Sequence, residues 1–181
     1  MPRQGLPIMA LLAAFLSPVA APASPSKTDI LPASPSGEDA ARHVLRVRTT
    51  AYTHTEDDHI KYGAKSASGK PLRYGKVRSA AADWSRYPLG TQFRIDGDDC
   101  IYEVDDYGSA LVGTGTIDLY RPNKAGINAW GVRNVKIEIL RWGSLSDSLR
   151  ILKPRASKAS HVRKMVEGIR RKRANEGCAV F

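Results

Sequence analysis

The sequence predicts a mainly β protein, a small six-stranded barrel with a short helix and a basic, partly helical C-terminal tail. Two observations carry that prediction. Six short segments alternate apolar and polar residues, or run apolar, between turn signals. The chain of 181 residues, once its ends are set aside, has room for one small core and hardly two. It shows no internal repeat.

The chain opens on Met1-Pro2-Arg3-Gln4-Gly5, followed by an apolar stretch from Leu6 to Val19 that Pro7, Ser17 and Pro18 interrupt. Spanning a bilayer takes about 20 apolar residues, so this stretch is too short and too broken to do so. Residues 1–23 read as a secretory signal, with Ala21-Pro22-Ala23 as a small-residue cleavage site before Ser24. The expected location is the periplasm, the cell envelope or the exterior. Residues 24–43 are mostly Pro, Ser and Ala with scattered charges, a composition that cannot bury enough apolar area to offset the entropy of ordering. They read as a spacer.

The domain follows, over residues 44–142. Its strands are expected at Val44 to Tyr52, Val77 to Ala82, Gln92 to Ile95, Cys100 to Val104, Thr116 to Tyr120 and Asn134 to Leu140. The last has the clearest pattern, with Val135, Ile137 and Ile139 on one face and Lys136 and Glu138 on the other. Ser68-Gly69-Lys70-Pro71 and Asp96-Gly97-Asp98 supply turn chemistry between strands. A helix is expected over Asn123 to Trp130 and another in the tail, residues 143–181, from Ser160 to Arg173. In the tail helix Val162, Met165, Val166 and Ile169 share one face, an apolar stripe suited to packing on the barrel.

The net charge of +10 is unevenly placed. From Lys153 onward nine Lys or Arg face only Glu167 and Glu176, so the domain itself is near neutral. This argues against a nucleic-acid-binding fold and for a tail that meets anionic envelope polymers or lipid head groups. Cys100 and Cys178 are the two cysteines, and a bridge between them and two separate thiols both fit an exported chain. Zinc-type Cys and His spacing is absent. The run His54-Thr55-Glu56-Asp57-Asp58-His59 reads as an exposed polar loop rather than a metal site, because its side chains have no fixed spacing on a regular element. No cofactor is expected.

Alternation also places a carboxylate. In Cys100 to Asp106, Ile101, Glu103 and Asp105 fall on the expected solvated face, and Cys100, Tyr102, Val104 and then Asp106 on the inner one. Asp106 is thus expected where the barrel opens, partly desolvated and able to hold a proton for donation. Asp105 is expected to lack that environment.

Three stretches then occur in order: Ser79-Ala80-Ala81-Ala82-Asp83 with Tyr87-Pro88-Leu89-Gly90-Thr91, next Asp106-Tyr107-Gly108-Ser109-Ala110-Leu111-Val112-Gly113, and last Ile117-Asp118-Leu119-Tyr120. Together they resemble the 3D domain family, named for three aspartates, here Asp83, Asp106 and Asp118. Thr50-Ala51-Tyr52, Ser66-Ala67-Ser68-Gly69 and Ala129-Trp130-Gly131 extend the resemblance over about residues 49 to 140. The chain departs from the family pattern at Trp84 for Pro, Tyr107 for Thr and Ser109 for Gly.

The resemblance implies a double-psi β-barrel similar to the catalytic barrel of membrane-bound lytic transglycosylase A, acting on peptidoglycan glycan strands, with Asp106 as catalytic acid. One acid is chemically sufficient when the sugar's own C6 hydroxyl is the nucleophile, since that group is already tethered to the reacting carbon. Asp83 and Asp118 either support the acid or satisfy backbone N–H groups, the second being favoured. Tyr52, Trp84, Tyr107 and Ser109 are candidate sugar contacts, and Trp130 is a further aromatic candidate, with core or rim packing as the competing role of the rings. A non-catalytic module that binds or loosens the wall is the alternative function.

Overall fold

The computed structural model describes residues 43–56 and 63–178, with the side chains of 176–178 excepted. The secretory-signal and spacer readings, most of the His54 to His59 loop and the side chain of Cys178 lie outside the described residues. Cys100 is half-buried and carries a free thiol. No helix among the described residues is long and apolar enough to cross a membrane.

Six strands close into a barrel: β1 (His43–Tyr52), β2 (Val77–Ala81), β3 (Gln92–Ile95), β4 (Ile101–Asp106), β5 (Ile117–Tyr120) and β6 (Arg133–Arg141). Their order around the barrel is β1-β5-β2-β4-β3-β6, and β6 returns to β1. The expected mainly β, six-stranded barrel is the observed fold. Each strand forms because its alternate residues find the core. In β1, Val47 and Thr49 are buried while Arg46 and Arg48 are exposed. Antiparallel pairing sets Val47 opposite Val135 of β6, and parallel pairing sets Thr49 opposite Ile117 of β5. Ala80, Phe93, Tyr102, Val104, Ile117, Leu119 and Ile137 fill the interior. Burying a large apolar side chain stabilises by roughly 1.5–3 kcal/mol relative to leaving it in water. The β3–β4 turn passes through Gly97 at φ +79°, a left-handed conformation that favours glycine.

Three helices follow the chain: α1 (Lys124–Trp130), α2 (Leu145–Leu152) and α3 (Ser160–Cys178). Asn123 caps α1, its side-chain oxygen accepting the Gly126 N–H at 2.9 Å. The sequence reading has no counterpart of α2 and ends the tail helix at Arg173. Both α2 and α3 belong to the barrel's own core: Leu149, Leu152, Val162, Met165, Val166 and Ile169 are buried in the same cluster as the strand residues.

The junction between barrel and tail is tight. The Gly143 N–H donates to Thr91 Oγ1 at 3.0 Å and the Ser144 N–H to the Leu89 carbonyl at 2.9 Å. Ser148 Oγ on α2 accepts the Leu89 N–H at 2.9 Å. A Cβ on Gly143 would overlap the carbonyl oxygens of Pro88 and Leu89, so only glycine fits. Trp142 stacks on Tyr87 at 6.4 Å. On α3, a Cβ at Gly168 would come within 2.8 Å of Ser85 Cβ, which measures how closely that helix approaches the segment after β2.

Candidate active site

The site is created by an irregularity. Val104 pairs with Ala80, but the next pair is Asp106 with Ala81, so Asp105 has no partner on β2. Such a bulge re-aims the side chain that follows it. Strict alternation puts Asp106 in series with Tyr102 and Val104; the bulge breaks that series and turns Asp106 away from the core. Ala81 also pairs with Asp118 of β5. Asp106 and Asp118 therefore stand at one register level, separated by β2, roughly 10 Å apart at Cα from two strand spacings. The small Ala81 lies between them, and Tyr52, Leu111 and Tyr120 surround it as a second apolar cluster with Leu72 at its edge.

Asp106 is held from several sides. Its Oδ1 accepts the Ala67 N–H at 2.8 Å and the Tyr107 N–H at 2.9 Å, and its Oδ2 accepts the Tyr52 hydroxyl at 3.0 Å. Its carbonyl accepts the indole N–H of Trp84 at 2.8 Å and the Ala82 N–H at 3.1 Å. The residue is 5% exposed. Burial, and then the charge of Asp106, push the Tyr52 phenol well above its ordinary range, which keeps Tyr52 a donor.

Asp118 is placed differently. It is partly exposed, and its Oδ1 accepts the Thr50 hydroxyl at 2.7 Å. Burial raises its carboxyl from 3.8 to about 6; the Thr50 bond opposes the rise, and the charges of Glu56 and Asp106 add to it. Nearby, Tyr120 Oη and His54 Nδ1 share a hydrogen bond of 2.8 Å, and Tyr74, 44% exposed, stands edge-on to Tyr120 at 6.5 Å.

Asp105 overturns the sequence expectation. Alternation puts it on the solvated face, yet it is 1% exposed, because the bulge tucks it beneath the segment that precedes β2. Its Oδ2 accepts Ser79 Oγ–H at 2.8 Å and an Arg73 N–H at 3.1 Å, while its Oδ1 is buried without a hydrogen-bond partner. Burial raises its carboxyl to about 6, against the pull of Ser79 and Arg73. Glu103, on the same expected face, is only half-buried and shares Arg73 at 3.0 Å.

The third aspartate of the pattern lies elsewhere. Asp83 Oδ1 accepts the Ser85 N–H at 2.8 Å and Ser85 Oγ–H at 2.7 Å, and Oδ2 accepts the Gly113 N–H at 2.9 Å. Both oxygens are committed to fixing two loops. Trp84 is fully buried with its N–H on Asp106, so it packs in the core and offers no face to a sugar. Tyr52 is likewise buried, and its hydroxyl orients Asp106. Tyr107 is half-buried, edge-on to Trp84 at 5.0 Å. Ser109 is exposed at the start of a 3-10 turn, Ser109–Leu111, and remains open to a ligand. Trp130 is partly buried beneath Arg121 and Arg133, at 4.8 and 4.5 Å from its ring. Among the described residues no three His, Cys, Asp or Glu side chains are grouped to hold a metal ion.

Sequence reading missed Thr50, Tyr74 and Tyr120 as members of this face. Thr50 and Tyr120 sit inside the quoted motifs, and the signal for them is the register that sets Thr50 opposite Asp118 and Tyr52 opposite Tyr120. Residues 78–141, from β2 to the end of β6, match the family model of the 3D domain. No curated protein matches the chain.

Proposed function

Since the barrel carries a 3D domain, a kind of domain associated with lytic transglycosylase-like or peptidoglycan-binding proteins of the cell wall, we propose that this chain is an exported enzyme that cleaves peptidoglycan glycan strands as a lytic transglycosylase. The observation that carries this reading is the pair of aspartates flanking Ala81, one partly exposed and protonatable near pH 6, the other buried and accepting three hydrogen bonds at its carboxylate.

We assign the acid role to Asp118 rather than to Asp106. Sequence alone favours Asp106, but its oxygens are already occupied by two N–H groups and a phenol. Asp118 reaches the open side and keeps its proton into the mildly acidic range. In the proposed reaction the Asp118 carboxyl protonates the glycosidic oxygen between N-acetylmuramic acid and N-acetylglucosamine, and the C1–O bond breaks. The Asp118 carboxylate then takes the proton from the C6 hydroxyl of the same muramic sugar as that oxygen bonds to C1, leaving a 1,6-anhydro end. In this reading Asp106, held by two N–H groups and a phenol, serves to stabilise the positive charge that develops at the anomeric centre. No water enters as nucleophile, so a second base of the hydrolytic type is not required. Export is supported by the signal-like residues 1–23.

The test is digestion of purified peptidoglycan by wild type, Asp118→Asn and Asp106→Asn, with products read by mass spectrometry. Anhydro ends from wild type that vanish in Asp118→Asn are the expected result. Ordinary reducing ends identify a hydrolase instead. Retention on insoluble wall with no release identifies a binding module.

A further inference from the structure

We infer that the C-terminal segment is a working part of the site, and that Arg155 is its positioning residue; the functional consequence rests on the reading proposed above. Arg155 lies in the 3-10 turn Lys153–Arg155 between α2 and α3, outside the 78–141 match. One of its guanidinium nitrogens donates to the Ala67 carbonyl at 2.9 Å and to the Tyr107 hydroxyl at 3.3 Å. Those two residues are the ones whose N–H groups hold Asp106 Oδ1. A single side chain thus grips both residues whose backbone fixes the carboxylate.

The surrounding contacts form one continuous dock for the tail. The Tyr107 ring sits between Trp84, at 5.0 Å edge-on, and His161 of α3, at 6.0 Å. Trp84 in turn donates to the Asp106 carbonyl. Two of the chain's departures from the 3D pattern, Trp84 and Tyr107, are therefore neighbours in space and join the tail to the candidate site. Thr at position 107 has no ring to reach His161 and no phenol for Arg155. Gly168 lets α3 close on Ser85, the residue whose hydroxyl donates to Asp83.

Arg155 is too far along this chain of contacts to be a catalytic residue; it acts by holding the Ser66–Gly69 turn down on Asp106. The test compares wild type, Arg155→Ala, Arg155→Lys and Tyr107→Phe in the full chain by three measurements. Amide hydrogen exchange at Ala67 and Tyr107 reports the grip directly and needs no activity. The expected result is exchange about tenfold faster or more at both amides in Arg155→Ala, partial recovery in Arg155→Lys, and a smaller effect confined to Tyr107 in Tyr107→Phe. Thermal unfolding separates this from global loosening, because amides of β6 are expected to keep their protection. On peptidoglycan, kcat is expected to fall by about tenfold to a hundredfold in Arg155→Ala with KM little changed, the size that slight misplacement of a group supporting the reacting centre produces. Unchanged exchange at Ala67 in Arg155→Ala overturns the inference. Should Arg155→Ala not fold, Arg155→Lys and Tyr107→Phe carry the same comparison, and wild-type exchange at both amides overturns it there too. A wild type that releases no product defeats the transglycosylase reading alone, and the exchange experiment still decides whether the tail grips the site.

Discussion

Asp106 and Asp118 stand opposite the same residue, Ala81, one on each side of β2, although twelve positions separate them in sequence. The charge of Asp106 reaches Asp118 across this strand and adds to the rise of its carboxyl, while Ala81 itself is buried among Tyr52, Leu111 and Tyr120. Larger side chains at position 81 are expected to overpack this cluster and destabilise the barrel by about 1–3 kcal/mol, read by thermal unfolding.

The first prediction concerns pH. Asp118 and Asp105 each titrate near 6 in the folded protein against an ordinary 3.8, with burial as the main cause. Between about 4 and about 6 the folded protein holds protons that the unfolded chain has released. Stability from these two groups is therefore greatest below that window and falls as pH rises through it. Melting curves of wild type and Asp118→Asn from about pH 4 to about pH 7.5 are expected to show a shallower decline in the variant. Cleavage by the proposed acid is expected to fall as pH rises above about 6.

Tyr52→Phe removes the hydroxyl from Asp106 Oδ2 while keeping the ring among Ala81, Leu111 and Tyr120. The expected loss of stability is about 1 kcal/mol, the usual net worth of one hydrogen bond. Cleavage is expected to drop by more than that stability change explains, read as kcat at fixed pH.

Trp84→Phe distinguishes core packing from sugar stacking. Losing the indole N–H leaves the Asp106 carbonyl short of one donor, at a cost of about 1–3 kcal/mol in urea unfolding. Affinity for insoluble peptidoglycan is expected to stay within about twofold of wild type once the variant is folded, as a ring with no exposed face makes no sugar contact.

Gly143→Ala is expected to be among the most damaging single changes, because the added methyl meets backbone oxygens that cannot move aside. Overpacking of this kind costs about 1–3 kcal/mol or more. Met165→Ala, on the fully buried face of α3, is expected to cost about 2–5 kcal/mol. Both are checked by thermal or chemical unfolding, and a Met165 effect below about 0.5 kcal/mol shows that α3 is dispensable to the core.

The barrel was legible because its information is local. Alternation in Asn134 to Leu140 and turn residues such as Asp96-Gly97-Asp98 report on neighbours a few positions away. The bulge at Asp105 was not, because it exists only in the pairing of β4 with β2, more than 20 residues earlier. Alternation therefore named the correct strand and assigned Asp105 to the wrong environment. Helix α2 carries a local signal of its own: Ser144 caps it through the Asp147 N–H, and Leu145, Leu149 and Leu152 recur at helical spacing. The role of Trp84 was beyond reach, since a tryptophan beside a candidate acid looks the same in sequence whether it faces ligand or core.

The order β1-β5-β2-β4-β3-β6 bears on how the chain reaches this state. Only β3 and β4 are both consecutive and paired; β1 and β2 wait for partners that lie well further along the chain, and β5 and β6 pair back to strands made earlier. In particular β2 gains its two neighbours only when β4 and β5 are present, so an amino-terminal fragment has no sheet to join. Contacts this distant in sequence raise contact order and slow folding toward the millisecond-to-second range of barrels. During that interval the edges of β1 and β2 are unpaired, and Arg46, Arg48 and Arg78 on those strands supply charges that discourage edge-to-edge association with other chains.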